Sequence, residues 1–322
     1  MRTLFISMNR FGHEILEEIL AQKGEVVGII TLKEEFTKGI SDHRSFDAIA
    51  KKQGIPLHKV KNINDEDSRA IIRQLRPDIM FVCGWSQIVK PEVFTLAKRG
   101  AIGSHPALLP KNRGRAAIPW HFILGEKQGG STFFWMDDGC DSGDIIGQKS
   151  FPFTMQDDAS TYYEKIIKAG RAIIKENYAL LAKGKDRRKK QDSQKATYLP
   201  KRTPADGLID WNKKTMEIYN LIRGTTHPYP GAFTYVKGRK LIVWKAKPSS
   251  LKQYLGTPGQ VVTFTDDGAV VRTGDSVIEL LTVQEEGGQE QSARSCFKMH
   301  DILGYRIVEE IEAIKKRMEG TS

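Results

Sequence analysis

A histidine and a group of acidic residues each follow an apolar run of the chain. GSHPALLPKNRGRAAIPW (103–120) breaks a predicted strand with prolines and glycine just after His105, and the loop MDDGCDSGDII (136–146) contains Asp141. An imidazole beside a carboxylate can exchange protons near neutral pH, and the carboxylate holds its tautomer and raises its pKa. Each segment alone is weak evidence, since histidines and Asp-Gly turns are common. Together they are more informative, because loops at the carboxyl ends of strands meet in one crevice of an α/β sheet.

The elements that must place these residues alternate between strands and helices. Strands are predicted at the apolar runs LFIS (4–7), VVGIITL (26–32), DIMFVC (78–83), AIGS (101–104) and STFFWM (131–136). Helices are predicted at 12–22, 44–53, 64–75, 91–98 and 159–183. This order is typical of a doubly wound, mainly parallel sheet in a Rossmann-like α/β domain. We expect the ligand to lie at the loops that follow Cys83, Ser104 and Met136.

The second half of the chain has a different pattern. The stretch 183–204 is basic and polar with two prolines, which is typical of a linker, and its cationic run at 183–190 is expected to be a solvated surface. A helix near 212–223 and short β-rich runs punctuated by glycine, proline and aspartate follow, which predict a small antiparallel barrel. The expected parts are a catalytic domain (1–184), a basic linker (185–204), a β-barrel-like domain (205–310) and a tail (311–322).

Composition excludes several classes of protein. The 322 residues are 39% hydrophobic and 28% charged, as in ordinary globular proteins, and no signal peptide or membrane-spanning run is present, so we expect a cytoplasmic protein. Cys83, Cys140 and Cys296 are too scattered for a disulfide framework or a zinc site, and no metal is expected. The formal net charge of +11 suits an anionic partner such as a nucleotide, a polyglutamylated folate or RNA, and does not choose among them.

The chain resembles the folate-dependent formyltransferase family. That family has an Asn-x-His motif, a Leu-Leu-Pro-x-x-Arg-Gly loop and an Asp-x-Gly-Asp motif. This sequence supplies, in that order, His105, Leu108-Leu109-Pro110, Arg113-Gly114 and Asp141-Ser142-Gly143-Asp144. RTPADGLIDWNKKTMEIYNLIRGTTHPYPGAFTY (202–235) is similar to the start of the family's C-terminal domain. The resemblance therefore covers nearly the whole chain.

The resemblance implies transfer of a formyl group from 10-formyltetrahydrofolate to a primary amine. In such an acyl transfer the amine attacks as a neutral base, loses a proton and forms an oxyanion that needs a donor. By resemblance His105 is the acid/base and Asp141 is its electrostatic partner. Also by resemblance, the pterin ring lies on Gln87, Ile88 and Val89 and on the loop Asp137, Asp138, Gly139, Cys140 and Asp141, with Arg115 nearby. Alternatively, the side chains of residues 87–89 only pack the strand end.

Gly103 departs from the family pattern, because it stands where the family has its asparagine. Loss of one oxyanion donor costs about two to three orders of magnitude in rate. Ser104, Asn112 or a water molecule could replace the missing amide, the acceptor chemistry could be unusual, or the protein could bind a folate or nucleotide without rapid transfer. We favour replacement, because the rest of the motif is intact. We also expect an asparagine at position 103 to fit.

Two amines are candidates within this family: the amino group of methionyl initiator tRNA and that of a nucleotide-linked amino sugar. The tRNA enzymes share a glycine- and lysine-rich insertion after the second strand, whereas residues 31–50 here are short and mixed in charge. PKNRGRAAIPW, GIPLHKVKNIND (54–65) and residues 227–246 also resemble UDP-aminoarabinose formyltransferases. An amino sugar is therefore the predicted acceptor. tRNA is the alternative, which the positive net charge and the basic linker would suit, and a homodimer is a further possibility.

Overall fold

The protein forms two compact units. The computed structural model describes residues 1–40 and 42–304, together with positions 311, 315 and 318. The first unit comprises residues 1–118, 127–157 and 161–201; the second comprises 119–126, 158–160 and the described residues from 202 onwards. Within the described residues, no helix is both long and apolar enough to cross a membrane. The expected tail (311–322) lies outside the described residues apart from the three single positions.

A seven-stranded sheet organises the first unit. Its strands are β1 (Arg2–Ile6), β2 (Glu25–Leu32), β3 (Leu57–Val60), β4 (Ile79–Val82), β5 (Ala101–His105), β7 (Gln128–Trp135) and β8 (Ile145–Pro152); the short β6 (Arg113–Gly114) and β9 (Tyr198–Leu199) pair separately. The sheet order is β3-β2-β1-β4-β5-β7-β8. The first five strands are parallel to one another. The prediction of a mainly parallel Rossmann-like domain is confirmed.

Helices lie between these strands along the chain. They are α1 (Arg10–Ala21), α2 (Asp47–Gln53), α3 (Glu66–Leu75), α4 (Pro91–Phe94), α5 (Ala117–Ile123) and α6 (Ala159–Ala182). Asn9 caps α1 by accepting from the Gly12 N–H, and Asp65 caps α3 by accepting from the Ser68 N–H. The helix predicted over 91–98 is only one turn long.

The direction of β7 differs from the one expected. β7 runs antiparallel to β5, with His105 opposite Thr132, so the carboxyl end of β7 lies at the amino end of β5. The loop after Met136 therefore does not leave the same sheet edge as the loop after His105. Asp141 reaches His105 because the chain folds back between β7 and β8, which are antiparallel neighbours. A strand pattern alone does not reveal strand direction.

The second unit is β-rich, as predicted. It contains α7 (Thr215–Thr225), β10 (Ala232–Val236), β11 (Arg239–Pro248), β12 (Val261–Phe264), β13 (Ala269–Arg272), β14 (Val277–Glu285), β15 (Glu290–Ser292) and α8 (Ala293–Cys296). The strands form one antiparallel sheet in the order β10-β11-β14-β13-β12, with β15 also paired to β14. Ile218 and Ile222 of α7 belong to the same apolar core as Val243 and Leu280 of the sheet.

Residues 189–199, which we call the strap, are part of the expected linker but are paired with the first unit. Lys189 exchanges two backbone hydrogen bonds with Ile145 at the start of β8. Farther along, β9 runs parallel to β6, with Tyr198 beside Arg113 and Leu199 beside Gly114. The strap therefore contacts both segments that carry the predicted catalytic residues.

Candidate active site

The structure brings His105 and Asp141 together. His105 ends β5 with a side chain only 5% exposed, and its Nε2 lies 2.6 Å from the carbonyl oxygen of Asn112. Because a carbonyl only accepts, Nε2 must carry a proton and donate it. The other ring nitrogen, Nδ1, lies 3.5 Å from Asp141 Oδ2. Nδ1 is therefore the atom that can take up and release a proton beside the carboxylate.

Backbone geometry sets the position of the Asp141 carboxylate. Asp141 has φ +51°, a left-handed conformation that few residues other than glycine adopt. Its Oδ2 accepts a hydrogen bond of 2.8 Å from the Gly114 N–H. The carboxylate thus lies between the imidazole of one loop and a backbone amide farther along that same loop.

The loop that follows His105 is held by the strap. Asn112 is buried with φ +60°, and its N–H donates to Thr197 Oγ1 at 2.8 Å. The Thr197 hydroxyl in turn donates to Asn112 Oδ1 at 3.2 Å. These bonds fix the residue whose carbonyl accepts from His105. Among the described residues, Asn112 Nδ2 has no protein acceptor.

Gly103 is flanked by an aromatic ring. A Cβ added there would lie 2.9 Å from Phe134 Cζ and 3.3 Å from Met136 Cγ. Gly103 has an ordinary strand backbone, so packing and not conformation excludes a larger residue. The expectation that asparagine would fit without adjustment is therefore wrong. Side chains at 103 and 105 share one face of β5, so the Phe134 ring occupies space next to the missing amide.

Ser104 points to the other face of β5, away from His105, because adjacent residues of a strand face opposite sides of the sheet. Burial raises the pKa of the Cys83 thiol to about 12, and the interaction of that thiol with Ser104 offsets part of the increase. Of the two protein donors considered as replacements for the asparagine, Asn112 is thus the one with an uncommitted N–H group among the described residues.

The three residues expected beneath the pterin differ in their environments. Gln87 Oε1 accepts from the Ile63 N–H at 2.9 Å, and its Nε2 donates to the Lys61 carbonyl at 2.8 Å. Val89 is buried in the core of the first unit, whereas Ile88 is 79% exposed. The side chains of Gln87 and Val89 are therefore engaged in contacts within the first unit. Ile88 alone of the three presents an open apolar surface.

The loop 137–141 is a preformed turn. Asp137 Oδ1 accepts from the Gly139 N–H at 3.2 Å and from the Ser142 hydroxyl at 2.7 Å, while Asp138 is exposed. Cys140 is exposed as a residue, but partial desolvation of its thiol and the adjacent Asp141 carboxylate raise the pKa of that thiol. Arg115 lies in the loop that follows His105. Its Nη2 donates to the Ser86 carbonyl at 2.9 Å and so links that loop to the segment after β4. No cluster of three metal-ligating side chains occurs in the part of the chain that the structure describes.

Sequence reasoning missed Gln191. It is buried in the strap and hydrogen-bonded to Arg113 and to the backbone of the Asp141 loop. Nothing in the local composition distinguishes it from Gln194, three residues away, because both lie in a polar basic stretch. The two glutamines differ because the path of the strap buries Gln191 and leaves Gln194 exposed.

Comparison with known proteins gives consistent results for both units. The model of the family described as "Formyl transferase" matches residues 1–177, and that of "Formyl transferase, C-terminal domain" matches residues 201–301. A methionyl-tRNA formyltransferase of Caldanaerobacter subterraneus is 31% identical over 308 residues, covering 94% of this chain and 98% of that protein. One from Bacillus licheniformis is 32% identical, covering 91% and 93%.

Solved structures share the fold at low sequence identity. HypX from Aquifex aeolicus in complex with tetrahydrofolic acid has a TM-score of 0.65 and 17% identity over 95% of this chain, which spans about half (51%) of HypX. WlaRD, a sugar 3N-formyl transferase crystallised with dTDP and 5-N-formyl-THF, has a TM-score of 0.64 and 20% identity, covering 87% of this chain and 97% of WlaRD.

Proposed function

Because the chain belongs to the formyl transferase family, we propose that His105 and Asp141 carry out its transfer of a formyl group from 10-formyltetrahydrofolate to a primary amine. The protein is an N-formyltransferase. The observation that supports these two roles is the 3.5 Å separation between Nδ1 of the buried His105 and Oδ2 of the partly buried Asp141. A base in contact with a carboxylate is the arrangement that removing a proton from an attacking amine requires.

In the proposed reaction His105 acts first as a base and then as an acid. The neutral amine attacks the formyl carbon, a C–N bond forms, and His105 Nδ1 takes the proton that the amine loses. The Asp141 carboxylate stabilises the imidazolium, while Nε2–H remains bonded to the Asn112 carbonyl. The imidazolium then returns its proton to N10 of the folate as the bond from the formyl carbon to N10 breaks. We assign the side-chain amide of Asn112 as the donor to the oxyanion, in place of the family asparagine.

For the acceptor, the named relatives favour the amino group of methionyl-tRNA. The two proteins of that name described above align with 94% and 91% of this chain at 31% and 32% identity, whereas the sugar enzyme WlaRD shares only the fold. The cationic run at 183–190 is consistent with a phosphate backbone. Methionyl-tRNA is therefore the first candidate, and the amino sugar that the sequence analysis favoured becomes the second.

The segment between β2 and α2 favours the amino sugar. Residues 33–46, which connect β2 to α2, contain three acidic and three basic residues and one glycine, so they lack a glycine- and lysine-rich insertion. Purified protein should be assayed with 10-formyltetrahydrofolate against charged methionyl-tRNA, free methionine and a panel of nucleotide-linked amino sugars. Product with methionyl-tRNA alone supports the first candidate. Product with a sugar alone replaces it by the second.

The roles of the two catalytic residues can be tested with whichever acceptor is active. Asp141→Asn keeps an oxygen able to accept from the Gly114 N–H but removes the charge that stabilises the imidazolium. Turnover is expected to fall about 100-fold or more. Asp192→Asn, an exposed aspartate in the strap, is the matched control and should retain activity. Turnover of Asp141→Asn near the wild-type rate would remove this carboxylate from the mechanism.

A further inference from the structure

Gln191 uses its whole hydrogen-bonding capacity inside the protein. Its Nε2 donates to the carbonyl oxygens of Asp141 at 2.8 Å and Gly143 at 2.7 Å. Its Oε1 accepts from Arg113 Nε at 3.3 Å and Nη2 at 2.8 Å. Since a carbonyl only accepts and a guanidinium only donates, these partners also fix which way the amide faces.

These bonds join two loops that are far apart in sequence. Arg113 lies eight residues after His105, next to Gly114, whose N–H donates to the Asp141 carboxylate. On its other side Gln191 holds the carbonyl of Asp141, a residue with a left-handed φ. One side chain from the strap therefore bridges the two loops that carry His105 and Asp141, beside the direct bond from the Gly114 N–H to the Asp141 carboxylate.

Gln191 also accepts hydrogen bonds from the buried Arg113 guanidinium. Arg113 is 2% exposed, and its described partners are Gln191 and the Tyr198 hydroxyl, both from the strap and both neutral. A buried cation is costly unless its donors are satisfied. The strap supplies these acceptors without placing a second carboxylate beside the imidazole of His105.

We propose that Gln191 is a positioning residue for formyl transfer: it holds the Asp141 carboxylate at the distance from His105 that proton transfer requires. The proposal rests on the roles of His105 and Asp141 given above. It places no contact between Gln191 and either substrate. Displacement of a catalytic group by about 1 Å can cost about 100-fold in rate.

Two substitutions separate the parts of this role. Gln191→Glu keeps an oxygen for Arg113 but loses both donors to the Asp141 loop. Gln191→Met keeps the length of the side chain and loses every hydrogen bond. Gln194→Glu and Gln194→Met are the matched controls, because Gln194 is the same residue type in the same segment and is exposed. All four variants should be compared with the wild type for kcat, KM for the formyl donor, and thermal unfolding.

Gln191→Glu is expected to lower kcat about 10- to 100-fold with a smaller change in KM, because a misplaced carboxylate affects the transition state more than binding. Gln191→Met should lower kcat at least as far, and the Gln194 controls should stay within about twofold of the wild type. A wild-type kcat in Gln191→Glu would overturn the proposal. So would equal losses in Gln191→Glu and Gln194→Glu, since charge in the strap would then be the cause.

Amide hydrogen exchange tests this positioning role without an amine substrate. Amides at 113–115 and 141–145 should exchange faster in Gln191→Glu than in Gln194→Glu, while those of β1 and β4 stay unchanged. Faster exchange throughout the first unit would mean that Gln191 only stabilises the fold, and would overturn the proposal. Failure of the proposed function looks different: the wild type transfers formyl to no amine, or Asp141→Asn remains fully active, whatever Gln191 does.

Discussion

At the scale of residues, Gly103 and Phe134 form a pair. They lie opposite each other on β5 and β7, and the ring of Phe134 stands where a side chain at 103 would have to go. Phe134 also packs with Leu109 and Ile145, so the ring cannot move without disturbing both neighbours. In this chain the ring of Phe134 therefore excludes an amide side chain at position 103 unless the ring shifts.

We predict that Gly103→Asn alone destabilises the protein by about 1–3 kcal/mol, because the new side chain overpacks against Phe134. Phe134→Ala alone leaves a cavity, and adding Gly103→Asn to it should fill part of that space. The cost of the double variant should then fall below the sum of the two single costs, as measured by urea unfolding. Additive costs would show that the ring does not exclude the amide.

The same pair makes a prediction about rate. In the Phe134→Ala background, Gly103→Asn should increase formyl transfer if Asn112 is a weaker oxyanion donor than the family asparagine. Phe134→Ala with Gly103→Ala is the control, since it adds volume without an amide. An equal rate in the two double variants would mean that an amide at 103 contributes nothing here.

His105 and Asp141 could be predicted as a pair because they belong to a motif with fixed spacing. Phe134, Gln191 and Thr197 could not. Each acts through a neighbour that is distant in the chain: Phe134 is 31 residues from Gly103, and Thr197 is 85 residues from Asn112. A sequence states which residues are present, but such contacts depend on strand direction and on the path of the strap.

At the scale of elements, the strap explains a glycine that the motif alone leaves unexplained. Gly114 has φ +104°, and a Cβ there would lie 2.5 Å from the Leu199 carbonyl oxygen in β9. The pairing of β6 with β9 therefore requires glycine both for its conformation and for the close approach of two backbones. The Gly114 N–H is also the one that holds the Asp141 carboxylate.

Gly114→Ala should consequently affect stability and catalysis together. We expect a loss of about 1–3 kcal/mol from the backbone strain, increased by the clash with Leu199, and a fall in turnover of at least tenfold. Gly184→Ala is the matched control: Gly184 also has a positive φ, of +67°, but a Cβ there would meet nothing within 4 Å. It should lose stability from strain alone and keep its turnover. Equal effects of the two substitutions on turnover would show that the pairing of β6 with the strap does not contribute to catalysis.

The strands and helices of the first unit were largely predictable, because parallel strands buried on both faces are continuous apolar runs. The direction of β7 was not, since a run such as STFFWM is equally apolar in either orientation. The strap was not predictable for a related reason: β9 is two residues long, and the remaining contacts are one isolated backbone pairing at Lys189 and single side chains. Basic, polar composition indicates a linker whether or not the segment is paired.

At the scale of the whole molecule, the residues expected to bind folate and those expected to carry the reaction all lie in the first unit, which extends to residue 201. The boundary expected from composition, at residue 184, would remove the strap. Gln191, Thr197 and Leu199 would then no longer hold the segments around Asp141, Asn112 and Gly114. The two boundaries therefore make different predictions for a shortened chain.

A chain ending after Lys201 should bind 5-formyltetrahydrofolate with about the affinity of the full-length protein, as measured by calorimetry. A chain ending after Lys185 should bind at least tenfold more weakly, because the loop from Asp137 to Asp141 loses the hydrogen bonds that fix its carboxyl end. The 1–201 chain carrying Gln191→Met is the control for the contribution of that side chain alone, and should lie between the two. Equal affinities for the chains ending at 185 and 201 would mean that the strap does not shape the folate loop. Binding by the full-length protein alone would place part of the folate site outside the first unit.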